Sequence, residues 1–207
     1  MNWLAHAWLA GPDPESRLGN LLADLTKGED RAGLAPGVLR GIAHHQSIDA
    51  FTDKHPVVLQ SRRRIDADYR RYSGILVDIF YDHILANEWE RYSDMPLTAF
   101  TAQLYDDIAP LLPSVPSVQR HHLERLIEWD ILAAYRDLDG VEHALRQISQ
   151  RLNARRPGVV VLEASLPQLV DHYADLSADF AEFFPQLDEH AQSSLLLPGQ
   201  TARHLPR

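Results

Sequence analysis

The chain has 207 residues, 45% apolar and 24% charged, with no cysteine and a net charge of −9. This length and composition predict one folded domain. The lack of cysteine excludes disulfides, thiolate metal sites and a cysteine nucleophile, and it fits a cytoplasmic location. The negative charge argues against sequence-independent binding to nucleic acid, which needs a broad basic surface. No apolar run approaches the roughly 20 residues of a membrane span.

The predicted elements are helices throughout, and strand signals are nearly absent. The first clear helix start has Asp13 at the cap position and Pro14 at the first helical position. The next helix is predicted to open at Pro36 or Gly37 and to end before Pro56. Further along the chain, apolar residues at helical spacing predict six more helices. These span Val57–Arg71, Ser73–Tyr92, Leu97–Leu112, Val118–Tyr135, Leu138–Leu152 and Leu166–Phe184.

Two segments do not follow this helical pattern. Val159–Val161 is the one β-branched cluster, and we assign it to a loop that leads into the last helix. The apolar periodicity is lost after Pro185. The sequence therefore predicts a helical domain over residues 1–185 and an irregular C-terminal tail over residues 186–207.

Two aspartates lie inside the most apolar predicted helix. Asp78 and Asp82 are four residues apart and share one face of a helix that is apolar around its whole circumference. A lone buried carboxylate is costly, so such groups are normally paired or bound to a metal. Salt bridges to the many arginines would explain them equally well. His83 follows about 100° further round the helix.

Imidazole, amide and carboxylate groups recur on other predicted helices. His45 and Asp49 lie one turn apart, as do Asn20 and Asp24, and His6 lies in an apolar segment near the start. Taken singly, each is also explained by an exposed polar face or by a hydrogen-bonded core histidine. Together they predict a polar centre shared by several helices. Its carboxylates and imidazoles favour Mn²⁺, Mg²⁺ or Fe²⁺.

The same residues give the chain a resemblance to the bacterial acyl-carrier-protein phosphodiesterases, which covers roughly Met1–Phe184. Four motifs in the family's order carry it: Asn2-Trp3-Leu4-Ala5-His6, Gly19-Asn20-Leu21-Leu22-Ala23-Asp24, Gly41-Ile42 with His45, Ile48-Asp49 and Thr52-Asp53, and Asp78 with Asp82-His83. The resemblance implies an all-α, single-domain helical bundle of the HD phosphohydrolase type. The chain departs from the wider HD superfamily in having no adjacent His-Asp pair.

The resemblance also implies an activity. The family hydrolyses the phosphodiester that joins 4′-phosphopantetheine to a serine of holo-acyl carrier protein, usually with Mn²⁺ as activator. A divalent ion suits this reaction because it withdraws charge from the phosphate and makes bound water more acidic.

Six residues are candidate ligands for that ion: Asp24, His45, Asp49, Asp82, Asp78 and His6. Asp24, His45 and Asp49 are the predicted catalytic residues, together with a histidine that would protonate the leaving serine oxygen. For this last role we consider His83 or His44.

An acidic carrier protein would need a local basic face on this acidic chain. Seven arginines could supply it: Arg62, Arg63, Arg64, Arg70, Arg71, Arg155 and Arg156. The alternative is an ordinary solvated helix face, with arginines paired to Asp66 and Asp68.

Two other functions stay open at this stage. An HD-type phosphohydrolase acting on a nucleotide or alarmone would use the same metal chemistry. A non-enzymatic helical protein that binds the carrier protein would use the polar stripes as structural ion pairs. A haem protein is disfavoured, because haem pockets are mainly apolar and these histidines are surrounded by aspartates.

Overall fold

The structure, a computed structural model, describes residues 1–155 and 160–196. Within these residues the chain forms eleven α-helices, joined in places by short 3-10 turns, and no β-strand. The helices are α1 (Trp3–Leu9), α2 (Pro14–Leu22), α3 (Pro36–Thr52), α4 (Pro56–Arg64), α5 (Ser73–Asn87), α6 (Leu97–Ile108), α7 (Ser117–Glu128), α8 (Ile131–Ala134), α9 (Leu138–Arg155), α10 (Leu166–Asp171) and α11 (Tyr173–Leu196). The predicted all-α bundle is confirmed. Its assignment to the HD type stays a prediction.

Helix α5 lies at the centre of the bundle. Val77, Ile79 and Leu85, which point in different directions around it, are all buried. Helices α1, α4, α9 and α11 pack against it. A helix that is apolar around its whole circumference must be enclosed in this way to remove its surface from water. The enclosure also takes Asp82 into the core, where its carboxylate is fully buried.

Helices α2 and α3 approach each other at a pair of glycines. A Cβ atom added to Gly19 would lie 2.2 Å from the Val38 carbonyl oxygen, and one added to Gly41 would lie 2.9 Å from the Gly19 Cα. Only glycine permits backbones to pack this closely. Because Gly19 directly precedes Asn20 and Gly41 lies one turn before His45, the contact brings these two polar residues together.

Three helices predicted to be continuous are broken in the structure. One is Leu166–Phe184, which divides at His172 into α10 and α11. Helix α4 stops short of Arg71 because Ile65 takes an extended backbone, with ψ of 132°, and its side chain is fully buried. The predicted helix Val118–Tyr135 is interrupted at Asp130, which has a left-handed backbone with φ of 42°. The Asp130 carboxylate then accepts a hydrogen bond from the Ala133 N–H and caps α8. Tertiary contacts therefore override the apolar periodicity at Ile65 and at Asp130.

The C-terminal segment is more ordered than its composition predicts. The sequence predicts an irregular tail from Gln186, but α11 continues through it to Leu196. The prediction is wrong here because Leu187 and Ala191 are fully buried, so this part of the helix packs on the bundle. Residues 197–207 lie outside the described residues. None of the described helices combines the length and the apolar character needed to cross a membrane.

Candidate metal centre

The first helix is held by a carboxylate from the central helix. Asp82 Oδ2 accepts a hydrogen bond of 2.7 Å from the Leu4 N–H, and Asp82 Oδ1 accepts one of 3.1 Å from the Ala5 N–H. Free N–H groups at a helix start are satisfied by such a cap, and they stabilise its negative charge. Burial nevertheless raises the pKa of Asp82 to about 7. This contact sets the position of α1, and hence of His6.

His6 and His45 meet face to face between α1 and α3. Their ring centroids are 3.7 Å apart and the ring planes differ by 15°. His6 is fully buried, and its Nε2 lies 3.1 Å from Asp49 Oδ1. Asp49 therefore contacts a histidine from another helix as well as His45 on its own helix.

The orientation of His45 is set by a backbone carbonyl. His45 Nδ1 lies 2.9 Å from the Asn20 carbonyl oxygen, so Nδ1 carries the hydrogen and donates it. His45 Nε2 then faces two carboxylates, with Asp49 Oδ2 at 3.0 Å and Asp24 Oδ1 at 3.4 Å. Metal-binding histidines are commonly oriented by a hydrogen bond of this kind from the other ring nitrogen.

The two histidines have opposite pKa shifts. Burial lowers the pKa of His6 to about 4, despite its contact with Asp49. Burial also opposes protonation of His45, but the carboxylates of Asp24 and Asp49 raise its pKa to about 9. Asp49 has its pKa held well below the usual range by the two imidazoles, although burial acts against this. At neutral pH the cluster thus contains a protonated His45 beside a neutral His6.

These side chains present a set of atoms suited to a cation. One nitrogen of His6, one of His45 and one oxygen of Asp49 all lie within 4.8 Å of one another. His45 Nε2 and His6 Nδ1 are buried and, among the described residues, make no aligned hydrogen bond. The centre is open on one side, where the side chains of Asp24 and Asp49 are 65% and 37% exposed. Two imidazoles with one or two carboxylates form a donor set typical of catalytic metal sites in proteins.

Asp78 lies beside this cluster without contacting its histidines in the described contacts. Its Oδ1 is 3.3 Å from the Met1 amino nitrogen, which in turn is 3.6 Å from Asp49 Oδ1. Burial raises the pKa of Asp78, and the Met1 ammonium opposes this. Of the six predicted ligands, His6, His45 and Asp49 are therefore in mutual reach, and Asp24 contacts His45. Asp78 is one contact away, and Asp82 is engaged with the start of α1.

The structure does not bring His83 or His44 to the cluster. His83 Nδ1 lies 2.8 Å from the Tyr135 carbonyl oxygen, on another side of α5. His44 lies between the Asn20 side chain and the Ala191 carbonyl oxygen, so it faces α11. Neither imidazole is placed to protonate a group bound at the cluster. The reason is helical geometry, since His44 and His83 each point about 100° away from the neighbouring residues His45 and Asp82.

The predicted arginine face is partly neutralised. Arg62 pairs with Asp53 at 2.7 Å, and Arg64 contacts Asp179 at 3.1 Å and Asp175 at 3.3 Å. Three further members are exposed, namely Arg63, Arg70 and Arg71. Arg156 and the side chain of Arg155 lie outside the described residues.

Sequence reasoning missed two features of this region. One is the Asn20 carbonyl that orients His45, which no side-chain pattern could reveal. The other is a cavity of about 680 Å³ that begins at Asp24 and Asp78 and extends between α5, α7 and α9. His122, Arg125 and Trp129 line it at positions i, i+3 and i+7 of one helix face, a spacing that could have been noticed.

Residues 1–187 match the family model described as acyl carrier protein phosphodiesterase. The chain belongs to this family. It is therefore a member of a family of enzymes, which removes the support for a non-enzymatic binding protein.

Curated relatives extend the match to nearly the whole chain. Proteins named acyl carrier protein phosphodiesterase from Escherichia coli O6:H1 and Salmonella dublin are each 34% identical over 197 residues, which is 95% of this chain and 100% of the E. coli protein. A protein of the same name from Photorhabdus laumondii is 33% identical over 194 residues, 93% of this chain and 96% of its own length. The comparison with solved structures found no significant match.

Proposed function

We propose that this phosphodiesterase is metal-dependent and releases 4′-phosphopantetheine from the serine of holo-acyl carrier protein. The observation that supports this most directly is the convergence of His6, His45 and Asp49, with Asp24 beside them, in a member of this family. The substrate is proposed from the names of the relatives, acyl carrier protein phosphodiesterases. The products would be apo-acyl carrier protein and 4′-phosphopantetheine.

The residues of the cluster fit a divalent cation, with Mn²⁺ the first candidate and Mg²⁺ or Fe²⁺ the alternatives. His6, His45 and Asp49 would hold it, and Asp24 would complete the set or bind a second ion. When bound, the cation would withdraw charge from a phosphate oxygen and lower the pKa of a water molecule. The buried ring nitrogens without an aligned hydrogen bond are consistent with this assignment.

The other residues of the site hold and orient this set. The Asn20 carbonyl keeps the hydrogen of His45 on Nδ1, so that Nε2 stays directed at the carboxylates. The Asp82 cap holds α1, which carries His6. Asp24, the most exposed acid of the cluster, would accept a proton from an attacking water molecule.

The direct test is incubation of the purified protein with holo-acyl carrier protein and Mn²⁺. Intact mass should show loss of phosphopantetheine, and a chelator should stop the reaction until Mn²⁺ is restored in excess. A parallel set of reactions replaces the carrier protein with nucleotides, including an alarmone. Cleavage of a nucleotide without cleavage of the carrier protein would replace the proposed substrate, and activity that resists chelation would remove the metal.

A further inference from the structure

The cavity beside the cluster opens at the candidate centre. Asp24 and Asp78 line one end of it, and Asp24 also contacts His45. The start of α7 is held near this end, because the Gln119 side chain donates a hydrogen bond of 3.2 Å to the carbonyl oxygen of Leu25, which also lines the cavity. One turn further along α7, His122 lines the same cavity. One ligand would thus be able to occupy the cavity and reach the cluster at the same time.

The walls of the cavity are largely apolar. They are formed by branched side chains from three helices and by alanines: Ile75, Ile79, Ile131, Ala134, Ala144 and Ile148. The volume of about 680 Å³ lies within the range of pockets that bury small organic ligands. A cavity of this volume suits a slender chain of mixed polarity and is far too small for a folded protein domain.

The rim of the cavity, by contrast, is cationic. Arg125 of α7 and Arg151 of α9 supply the charge, and His122 and His143 lie beside them. Arg125 lies over the ring of the half-exposed Trp129, at 4.2 Å from the ring centre. Neither Arg125 nor Arg151 forms an ion pair with an acid that the structure describes. The charge of Arg151 and Arg125 adds to burial in lowering the pKa of His122, as expected where cationic groups crowd together.

Arg62, Arg63 and Arg64 of α4, with Arg70 and Arg71 in the turn after it, form what we call the α4 surface. The rim and the α4 surface differ in how much of their positive charge is already paired with acids. Arg62 and Arg64 are held by Asp53, Asp175 and Asp179, so part of the positive charge of α4 is already neutralised. The rim arginines have no such partners among the described residues, and they border the cavity that leads to the cluster. An acidic partner would therefore meet unpaired charge beside the cavity at the rim, whereas the exposed Arg63, Arg70 and Arg71 lie away from that cavity.

We propose that holo-acyl carrier protein docks on the cationic rim formed by His122, Arg125, His143 and Arg151, with its prosthetic arm in the cavity. This rests on the proposed function and specifies how the same site takes its substrate. The arm is slender enough for the cavity, whereas the folded carrier must stay outside. The acidic carrier protein then faces the rim while the phosphate lies at the cluster.

Charge reversal separates this surface from the rest of the molecule. The double variant Arg125→Glu/Arg151→Glu should raise KM for holo-acyl carrier protein by about tenfold or more, with kcat little changed, because charges at an interface rim control association. The matched control is Arg40→Glu/Arg136→Glu, which makes the same charge change at two exposed residues outside the cavity. Its KM should stay within about twofold of the original. KM of the unaltered protein should also rise with salt.

A second variant tests the cavity itself. Ala144 is half-buried in the cavity wall, and Ala144→Trp would fill part of the space. Turnover of the holo-carrier should fall strongly, while binding of the apo-carrier, which lacks the arm, should stay within about twofold. Circular dichroism and thermal unfolding check that each variant is folded.

Each outcome bears on a different claim. Unchanged KM in Arg125→Glu/Arg151→Glu overturns docking at the rim. A rise in KM with Arg63→Glu/Arg70→Glu instead would place docking on the α4 surface. If the unaltered protein fails to cleave holo-carrier, the proposed function fails, and the rim is then judged by apo-carrier binding alone: loss of that binding in the rim variant supports it, and retention overturns it.

Discussion

The imidazole ring of His6 lies flat against that of His45, with 3.7 Å between the ring centroids. Two protonated rings at this distance would repel each other strongly, so the pair is stable with at most one charge. The surroundings place that charge on His45, because His6 is buried in the core while His45 faces the carboxylates of Asp24 and Asp49. The stack joins α1 to α3 and places two nitrogen ligands beside one carboxylate.

Replacing Asp49 should remove activity without unfolding the protein. Asp49 contacts both His6 and His45, so Asp49→Ala leaves the proposed cation with neither its carboxylate nor aligned imidazoles. We expect turnover to be abolished while helical circular dichroism is kept. The control is Asp53→Ala, one turn further along α3, where the side chain is exposed and pairs with Arg62. Activity retained in Asp49→Ala would eliminate the metal scheme.

Metal affinity should increase with pH. In the metal-free protein burial lowers the pKa of His45, but Asp24 and Asp49 outweigh this and raise it to about 9, so a proton must leave before Nε2 can bind a cation. Below that pKa, the apparent dissociation constant for Mn²⁺ should fall by about tenfold for each unit of rising pH. Titration calorimetry at pH 6, 7 and 8, in buffers of different ionisation enthalpy, measures both the affinity and the proton released. A constant affinity over this range would contradict the assignment of His45 as a ligand.

The buried Asp82 should make stability fall with pH in metal-free protein. Burial raises its pKa from 3.8 to about 7, so between these values the folded state keeps a proton that the unfolded state has lost. Stability from this group is therefore present at low pH and decreases as pH rises towards 7, by at most about 1.4 kcal/mol per unit. Asp82→Asn keeps an acceptor oxygen for the Leu4 N–H but does not titrate.

Urea unfolding of both proteins with a chelator at pH 5 and pH 8 measures this effect. The free energy of unfolding of Asp82→Asn minus that of the original protein should be larger at pH 8 than at pH 5, because only the original protein loses stability as pH rises. An equal difference at both values would mean that the α1 N–H groups keep Asp82 ionised throughout.

The contact between Gly19 and Gly41 should be sensitive to one added methyl group. In Gly41→Ala the new Cβ would lie 2.5 Å from the Ser16 carbonyl oxygen, so α2 and α3 must move apart. We expect a loss of about 1–3 kcal/mol in unfolding free energy, together with weaker Mn²⁺ binding, because Asn20 and His45 separate. Gly74→Ala is the matched control: its Cβ would only touch the flexible Arg62 side chain at 3.4 Å. Equal stability of the two variants would show that the helices can separate at no cost.

Much of the secondary structure follows from local chemistry. The helix start at Asp13 and Pro14 is found as predicted, with the Asp13 carboxylate accepting a hydrogen bond from the Ser16 N–H. The opening of α3 at Pro36 is also found, because proline at the first helical position loses no hydrogen bond. The breaks at Ile65 and Asp130 were not predictable, since burial and a distant tyrosine decide them.

The candidate centre shows the same division. Spacing along a helix identified His45 with Asp49 and Asn20 with Asp24, because residues one turn apart share a face. His6 was identified as a histidine in an apolar segment. Which faces meet is a matter of packing between helices, and periodicity within one helix carries no information about it. The tertiary structure therefore decided that His6 stacks on His45, that Asp82 caps α1, and that His83 turns to Tyr135. It also decided which arginines form ion pairs, because a partner such as Asp179 of Arg64 comes from a helix far away in the chain.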